Sequence, residues 1–80
     1  DDLKFEIPKR VAEVYRARGF EVLTIDGARI HTDEGWALVR ASNTQPKLVL
    51  RVEASSPRRR DAMLAELEEV LSEVEASLRS

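Results

Sequence analysis

A polar stretch in the second half of the sequence, residues 40–47, lies between two apolar segments and concentrates groups that can bind an anion. It reads Arg-Ala-Ser-Asn-Thr-Gln-Pro-Lys and supplies a guanidinium, two hydroxyls, side-chain amides and an ammonium. An arginine can hold a phosphate through two parallel hydrogen bonds, while hydroxyl and backbone N–H groups in a tight turn donate to the remaining oxygens. These residues therefore predict an oxyanion site. Because Ser, Asn, Thr and Pro also favour turns for local backbone reasons, a plain connecting turn is the alternative.

The segment around this stretch, GWALVRASNTQPKLVLRVEA at residues 35–54, resembles the phosphate-binding loop and flanking strands of the C-terminal domain of α-D-phosphohexomutases. The family pattern is roughly R-x-S-[GN]-T-x-P between two strands. Within the family the segment is most similar to the bacterial phosphomannomutase/phosphoglucomutase branch, since phosphoglucosamine mutases usually carry Gly where Asn43 stands. Gln45 departs from the Glu that many members have. A weaker likeness covers nearly the whole chain, including Lys4-Phe5 and Asp26-Gly27.

The resemblance implies that residues 1–80 are the last domain of a larger multidomain enzyme, and the start at Asp1 also indicates a fragment. In that family a phosphoserine on the first domain exchanges a phosphoryl group with a hexose phosphate, through a hexose 1,6-bisphosphate and with Mg²⁺. The C-terminal domain holds the phosphate that is not being transferred between C1 and C6. The serine loop and the metal loop of the family are absent here, so the isolated domain is expected to be inactive.

Carried over by motif position, the resemblance implies a role for each matching residue of the loop. Arg40 would pair with the phosphate charge, and Ser42 and Thr44 would donate hydroxyl and backbone hydrogen bonds. Asn43 would donate from its backbone or its amide, and Lys47 would add a further cation. Outside this motif, Arg51 is either a supporting charge or an outward-facing strand residue.

Other titratable residues do not predict catalysis within these 80 residues. The single histidine, His31, lies on a predicted strand with its side chain facing outward, as surface histidines do. The pair Asp33-Glu34 falls in a predicted hairpin turn, and turn propensity explains it without chemistry. No spacing of His, Cys, Asp or Glu predicts a metal site, and we assign no catalytic and no metal-binding residue.

Length, charge and composition bound the class of protein. Eighty residues make one small domain, and a net charge of −2 from 13 basic and 15 acidic residues gives no general attraction to nucleic acid or anionic membranes. The absence of cysteine excludes disulfides and fits a cytoplasmic protein. Apolar runs are far shorter than the roughly 18 residues of a membrane span. Charge and composition thus predict neither nucleic acid nor a membrane as a partner, and the resemblance implies a hexose phosphate and the other domains of the same enzyme as partners.

The start of the chain has two readings, because residues 4–7 alternate like a short strand while the acids Asp1 and Asp2 favour the first turn of a helix. The family resemblance favours the helix, so we expect a short helical turn and then a helix to Arg18 with an apolar stripe of Val11, Val14 and Tyr15. Proline disfavours helical angles at the preceding residue and cannot donate a hydrogen bond. We therefore expect a kink at Ile7-Pro8, with Pro8 restarting the helix as its first residue. Gly19 is placed to end the helix.

Four strands are predicted by a period of two at residues 21–25, 28–32, 36–41 and 48–54. Asp26-Gly27 predicts a two-residue hairpin turn, and the short connections require antiparallel neighbours. The last helix is expected to begin with Ser56 as its cap and Pro57 as its first residue, and to run for about 20 residues. Its apolar face consists of Met63, Leu67, Val70, Leu71, Val74 and Leu78.

The predicted fold class is α+β, a four-stranded antiparallel sheet with two helices packed on one face. The resemblance implies the same architecture, which is TATA-binding-protein-like. Three other functions stay open: a phosphoglucosamine mutase domain, a nucleic-acid-binding module suggested by Arg58 to Arg60, and an interaction module that uses the last helix. The acidic balance and the few aromatic residues oppose the second, and the third requires an exposed apolar patch on that helix.

Overall fold

Two helices and four strands make up the fold, as a computed structural model describes it for residues 3–25, 27–42 and 47–79. The elements are α1 (Leu3–Ala17), β1 (Glu21–Leu23), β2 (Ala28–Thr32), β3 (Gly35–Ala41), β4 (Leu48–Ala54) and α2 (Pro57–Arg79). The strands form one antiparallel sheet in the order β1-β2-β3-β4. Both helices pack on one face of this sheet, which confirms the predicted α+β architecture.

Alternating side chains on the central strands explain why only one face of the sheet is covered. On β2, Ala28 and Ile30 are buried, whereas Arg29 between them is exposed. On β3, Ala37 and Val39 are buried in the same way. Since partner residues of antiparallel strands point to the same side, these positions align into one apolar surface under the helices. The largest side chains buried almost completely are Ile30, Leu67, Val11, Val39 and Val70.

The connection between β1 and β2 differs from the predicted two-residue turn. Strand β1 ends at Leu23 rather than Ile25, and Val22 pairs with Ile30. A two-residue turn at Asp26-Gly27 would instead place Val22 opposite His31, on the outward face. Because a register shift of one residue exchanges the two faces of a strand, the burial of Val22 against the core outweighs the local turn preference.

Helix α1 continues through Pro8, so the prediction that Pro8 restarts a helix is wrong. Pro8 lies in the second turn and removes a single hydrogen bond to the Lys4 carbonyl, while Ile7 and Pro8 are both buried. Packing of these two residues against the rest of the fold offsets that loss.

The C-terminus of α1 is closed by Gly19, as the sequence predicts. Gly19 has a φ of 93°. Its N–H donates to the Arg16 carbonyl at 3.0 Å, and the Phe20 N–H donates to the Tyr15 carbonyl at 3.0 Å. This pair of bonds is the Schellman arrangement, in which a glycine takes the left-handed conformation.

Helix α2 begins as predicted, with the Arg59 N–H donating to the Ser56 hydroxyl at 3.2 Å. The predicted apolar face is buried from Met63 to Val74. Among the described residues the large apolar side chains that are exposed are Phe5, Leu23 and Ile25, all outside α2. Within the described part of α2, no large apolar side chain is exposed. None of the described helices is long and apolar enough to cross a membrane.

The face of the sheet away from the helices carries both charged and apolar side chains, and two of them stack on each other. The Arg29 guanidinium lies over the Trp36 ring, 4.4 Å from its centroid, which is a cation–π contact. His31 occupies the same face, directly opposite Trp36 in the register, and is half-buried. His31 therefore faces outward from the sheet, as the sequence predicts.

Candidate anion-binding site

The polar loop is held by the longest pair of strands in the sheet. In the register of β3 and β4, Arg40 lies opposite Val49 and Ala41 lies opposite Leu48. One step further, the Ser42 N–H donates to the Lys47 carbonyl at 3.0 Å. This backbone bond continues the β3–β4 ladder by one step and closes the six-residue connection 42–47 at its base. The two ends of the loop are therefore held by backbone hydrogen bonds and not by side chains.

Three of the predicted site residues, Arg40, Ser42 and Lys47, are described, and they lie at this closed base. Arg40 and Lys47 are exposed, whereas Ser42 is half-buried. Asn43 and Thr44 are also predicted site residues, but they lie outside the described part of the chain, as do Gln45 and Pro46. The structure therefore brings a guanidinium, a hydroxyl and an ammonium to the two ends of one loop.

A cleft of about 240 Å³ lies beside the start of the loop. Three parts of the fold line it: the first two turns of α1, the β1–β2 connection and the end of β3. The lining residues are Phe5, Pro8, Lys9, Thr24, Gly27, Arg40 and Ala41. Pockets for whole small molecules commonly measure about 300–1,000 Å³, so this cleft suits one small group rather than a complete sugar phosphate.

Lys9 is a cation of this cleft that the sequence analysis missed. Its ammonium lies 3.4 Å from the Glu6 carboxylate, and both side chains are largely exposed. Such an exposed ion pair contributes little to stability, so Lys9 can exchange Glu6 for a bound anion at low cost. Lys9 is exposed on α1, and only the packing of α1 over the sheet places it on the wall of the cleft that Arg40 also lines.

Arg51 and Glu34, which the sequence analysis also discussed, lie in the strands and turns of the fold and do not line the cleft. Arg51 is exposed on β4 opposite Leu38. Glu34 lies at the far end of β3 from the loop, where its carboxylate pairs with the Arg59 guanidinium at 2.7 Å. Its carbonyl also accepts from the Ser55 N–H at 2.8 Å, so this turn ties β2 and β3 to the start of α2. No three His, Cys, Asp or Glu residues of the described ranges are grouped as a metal site.

The fold and the loop together define a class of domain. It is an α+β domain in which strands β3 and β4 hold a polar loop, closed at its base, at one end of the sheet. The family model described as "Phosphoglucomutase/phosphomannomutase, C-terminal domain" matches residues 1–70. The chain belongs to this family. The match confirms the resemblance that the loop motif indicated.

Individual relatives agree with the family match. The chain is 39% identical over 79 residues to the phosphomannomutase/phosphoglucomutase of Pseudomonas syringae pv. tomato, which is 99% of this chain and 16% of that protein. It is 41% identical over 59 residues to a probable phosphoglucosamine mutase of Methanopyrus kandleri, which is 74% of this chain and 13% of that protein. The chain therefore spans a small part of the length of these relatives.

A solved structure agrees as well. A crystal structure of a phosphoglucomutase/phosphomannomutase family protein from Burkholderia thailandensis matches 69% of this chain and 12% of that chain. The TM-score is 0.65 and the sequence identity is 38%.

Proposed function

We propose that this chain anchors the non-transferred phosphate of a hexose phosphate, as the C-terminal domain of a phosphomannomutase/phosphoglucomutase. The observation that carries the proposal is the closed base of the loop, where the Ser42–Lys47 hydrogen bond holds Arg40 and Lys47 at its two ends. A guanidinium, hydroxyls and backbone N–H groups at such a loop are suited to the oxygens of a phosphate monoester.

The names of the relatives support a role directed at phosphate rather than at the sugar. One relative is named for mannose and glucose phosphates and another for glucosamine phosphate, yet both share this segment with the chain. The group common to those substrates is the phosphate. The small volume of the cleft beside Arg40 agrees with a site for one phosphate and not for a whole sugar ring.

The contribution of this chain to the reaction would be positioning. Arg40 pairs with the phosphate charge, Ser42 and Thr44 donate from hydroxyl and backbone, Asn43 donates from backbone or amide, and Lys47 adds positive charge. Fixing one phosphate orients the opposite hydroxyl of the sugar toward the reacting group, and orientation can supply about 7–11 kcal/mol in well-aligned reactions. The same grip serves both ends of a hexose 1,6-bisphosphate in turn.

The reacting groups themselves would belong to the rest of a longer enzyme. In the proposed parent, a phosphoserine of another domain would exchange the phosphoryl group, and Mg²⁺ held by that part of the enzyme would supply electrostatic stabilisation. The described residues offer no group of three His, Cys, Asp or Glu side chains that could hold a metal ion. We accordingly expect the isolated chain to bind phosphate without mutase activity.

The nucleic-acid alternative has less support. Of the three arginines that suggested it, Arg59 pairs with Glu34 at 2.7 Å and Arg60 pairs with Asp61 at 3.5 Å. These exposed pairs could open at low cost, so the lower support rests on the net charge of −2, which gives no general attraction to nucleic acid. The phosphoglucosamine alternative concerns the sugar and is compatible with the same phosphate site.

An NMR titration of the 80-residue chain in low salt tests the proposal. The ligands are inorganic phosphate, glucose 1-phosphate, mannose 1-phosphate and glucosamine 1-phosphate. We expect amide shifts confined to residues 40–47 and the adjoining cleft, with roughly millimolar dissociation constants, about −4 kcal/mol, that are similar for the sugars. An absence of shifts in the loop at tens of millimolar ligand would contradict phosphate binding by this chain.

Matched arginine variants assign the binding to the loop. Arg40→Ala should weaken phosphate binding at least tenfold, because a charge-assisted hydrogen bond contributes about 1.5–3 kcal/mol. Arg51→Ala removes the same charge from the same sheet face, on the neighbouring strand, and should leave the dissociation constant within about twofold. Equal weakening by both substitutions would indicate a diffuse electrostatic effect instead of a site.

A further inference from the structure

Gly27, in the connection between β1 and β2, packs directly against the β3 backbone where the polar loop begins. Its φ is 84°, a conformation that residues with a side chain rarely adopt. A Cβ atom at this position would overlap the Val39 carbonyl oxygen and would lie 3.0 Å from the Arg40 Cα and 3.1 Å from its Cβ. Glycine is therefore required both by conformation and by space.

The place that Gly27 fills is the end of the β2–β3 ladder. The last pair of that ladder is Ala28 with Val39, and Arg40 is the next residue along β3. On its other side Arg40 remains paired with Val49 of β4. The β3 backbone at Arg40 therefore has β4 on one side and Gly27 on the other. Gly27 also lines the same cleft as Arg40.

We propose that Gly27 is a positioning residue of the phosphate site, which sets where the Arg40 backbone leaves the sheet. This inference rests on the proposed function of the loop. Gly27 itself offers no charge and no side chain, so its effect acts through Arg40. Two parallel hydrogen bonds from a guanidinium to a phosphate tolerate little displacement, and a shift of the backbone at Arg40 moves the donor relative to Ser42 and Lys47.

The three glycines of the chain provide a matched experiment. Gly19 has a positive φ of 93°, but a Cβ there meets nothing within 4 Å, so Gly19→Ala tests conformational strain alone. A Cβ on Gly35 would overlap the Glu53 carbonyl oxygen and lie 2.7 Å from the Ala54 Cα, so Gly35→Ala tests a clash with a neighbouring strand at the far end of β3. Gly27→Ala combines both effects beside Arg40.

Each variant is titrated with inorganic phosphate and followed by the amide shifts of its folded form, with urea unfolding measured in parallel. All three substitutions should lower stability. We expect Gly27→Ala alone to weaken phosphate binding by the folded protein, about fivefold or more, with the controls within about twofold. A Gly27→Ala protein that is folded and binds phosphate as the wild type does would overturn the positioning role.

A second measurement on the wild type covers the case in which Gly27→Ala does not fold. The Gly27 amide should shift with the same dissociation constant as Arg40 during the phosphate titration, while the Gly35 amide stays unchanged. An unmoved Gly27 signal beside a shifting Arg40 signal would contradict the inference. If the wild type shows no shift at Arg40 at all, the proposed function fails, which is a different outcome from failure at Gly27 alone.

Discussion

Tyr15 joins the two helices through contacts of one aromatic side chain. Its hydroxyl donates to the Glu66 carboxylate at 3.3 Å, and the Arg18 guanidinium lies 3.7 Å from the same carboxylate. The ring also makes an edge-to-face contact with Phe20, with 5.5 Å between centroids. Burial raises the pKa of the Tyr15 phenol well above its ordinary value of 10.0, the Glu66 carboxylate raises it further, and Arg18 lowers it in part.

This raised pKa predicts a loss of stability in alkali. Below pH 10 both the folded and the unfolded chain keep the phenol proton, so its contribution is fully present. Above pH 10 the unfolded chain loses the proton while the folded chain keeps it, and the free energy of unfolding falls by up to about 1.4 kcal/mol per pH unit. Urea unfolding between pH 8 and about pH 11.5 measures the slope.

Tyr15→Phe provides the control for that slope. It should cost about 1 kcal/mol at neutral pH through the lost hydrogen bond to Glu66, and its stability should fall less steeply in alkali. Because Tyr15 is the single tyrosine, ultraviolet absorbance of the phenolate reports its ionisation alone. Parallel slopes for the two proteins would mean that the alkaline loss does not come from Tyr15.

At the scale of elements, the loop depends on its strands and α2 depends on its cap. The base of the loop is fixed by the register of β3 and β4, a backbone property that side-chain substitutions in the loop leave intact.

The start of α2 carries Arg58 to Arg60 and no acid, which the helix dipole disfavours. The Ser56 cap and the Arg59–Glu34 pair counteract this disadvantage.

We predict that Ser56→Ala lowers the free energy of unfolding by about 1 kcal/mol, since an N-terminal helix cap typically contributes roughly 0.5–2 kcal/mol. The Ser56 hydroxyl accepts from the Arg59 N–H, which loses its partner. Ser55→Ala is the matched control, because Ser55 donates to the Glu34 carbonyl through its backbone N–H. It should change stability by less than about 0.5 kcal/mol. Chemical denaturation compares the two, and equal losses would argue against a capping role.

At the scale of the whole molecule, one continuous core joins both helices to the sheet. A domain of this size typically has roughly 4–12 kcal/mol of stability, taking about 0.05–0.15 kcal/mol per residue. A single core substitution can therefore remove a large part of it. The proposed phosphate site needs this core, because α1, the β1–β2 connection and the end of β3 meet at the cleft only when the elements are packed together.

Leu67→Ala tests how much this core contributes to the stability of the fold. Leu67 is completely buried on α2, and its truncation should cost about 2–5 kcal/mol through lost burial and a residual cavity. Leu64→Ala, on the same helix at a half-buried position, should cost less. Thermal unfolding followed by circular dichroism ranks the variants. Similar losses from both positions would mean that α2 does not pack on the sheet through the face described here.

The sequence by itself determined the period of each strand, the helix ends at Gly19 and Ser56, and the loop motif, because these depend on neighbouring residues. It misjudged the β1–β2 turn and Pro8, where burial of Val22 and Ile7 outweighed local preference. Tertiary structure alone placed Gly27 against Arg40 and Lys9 on the wall of the same cleft. These residues are distant in sequence, and only packing of α1 and of the β1–β2 connection against β3 specifies where they lie.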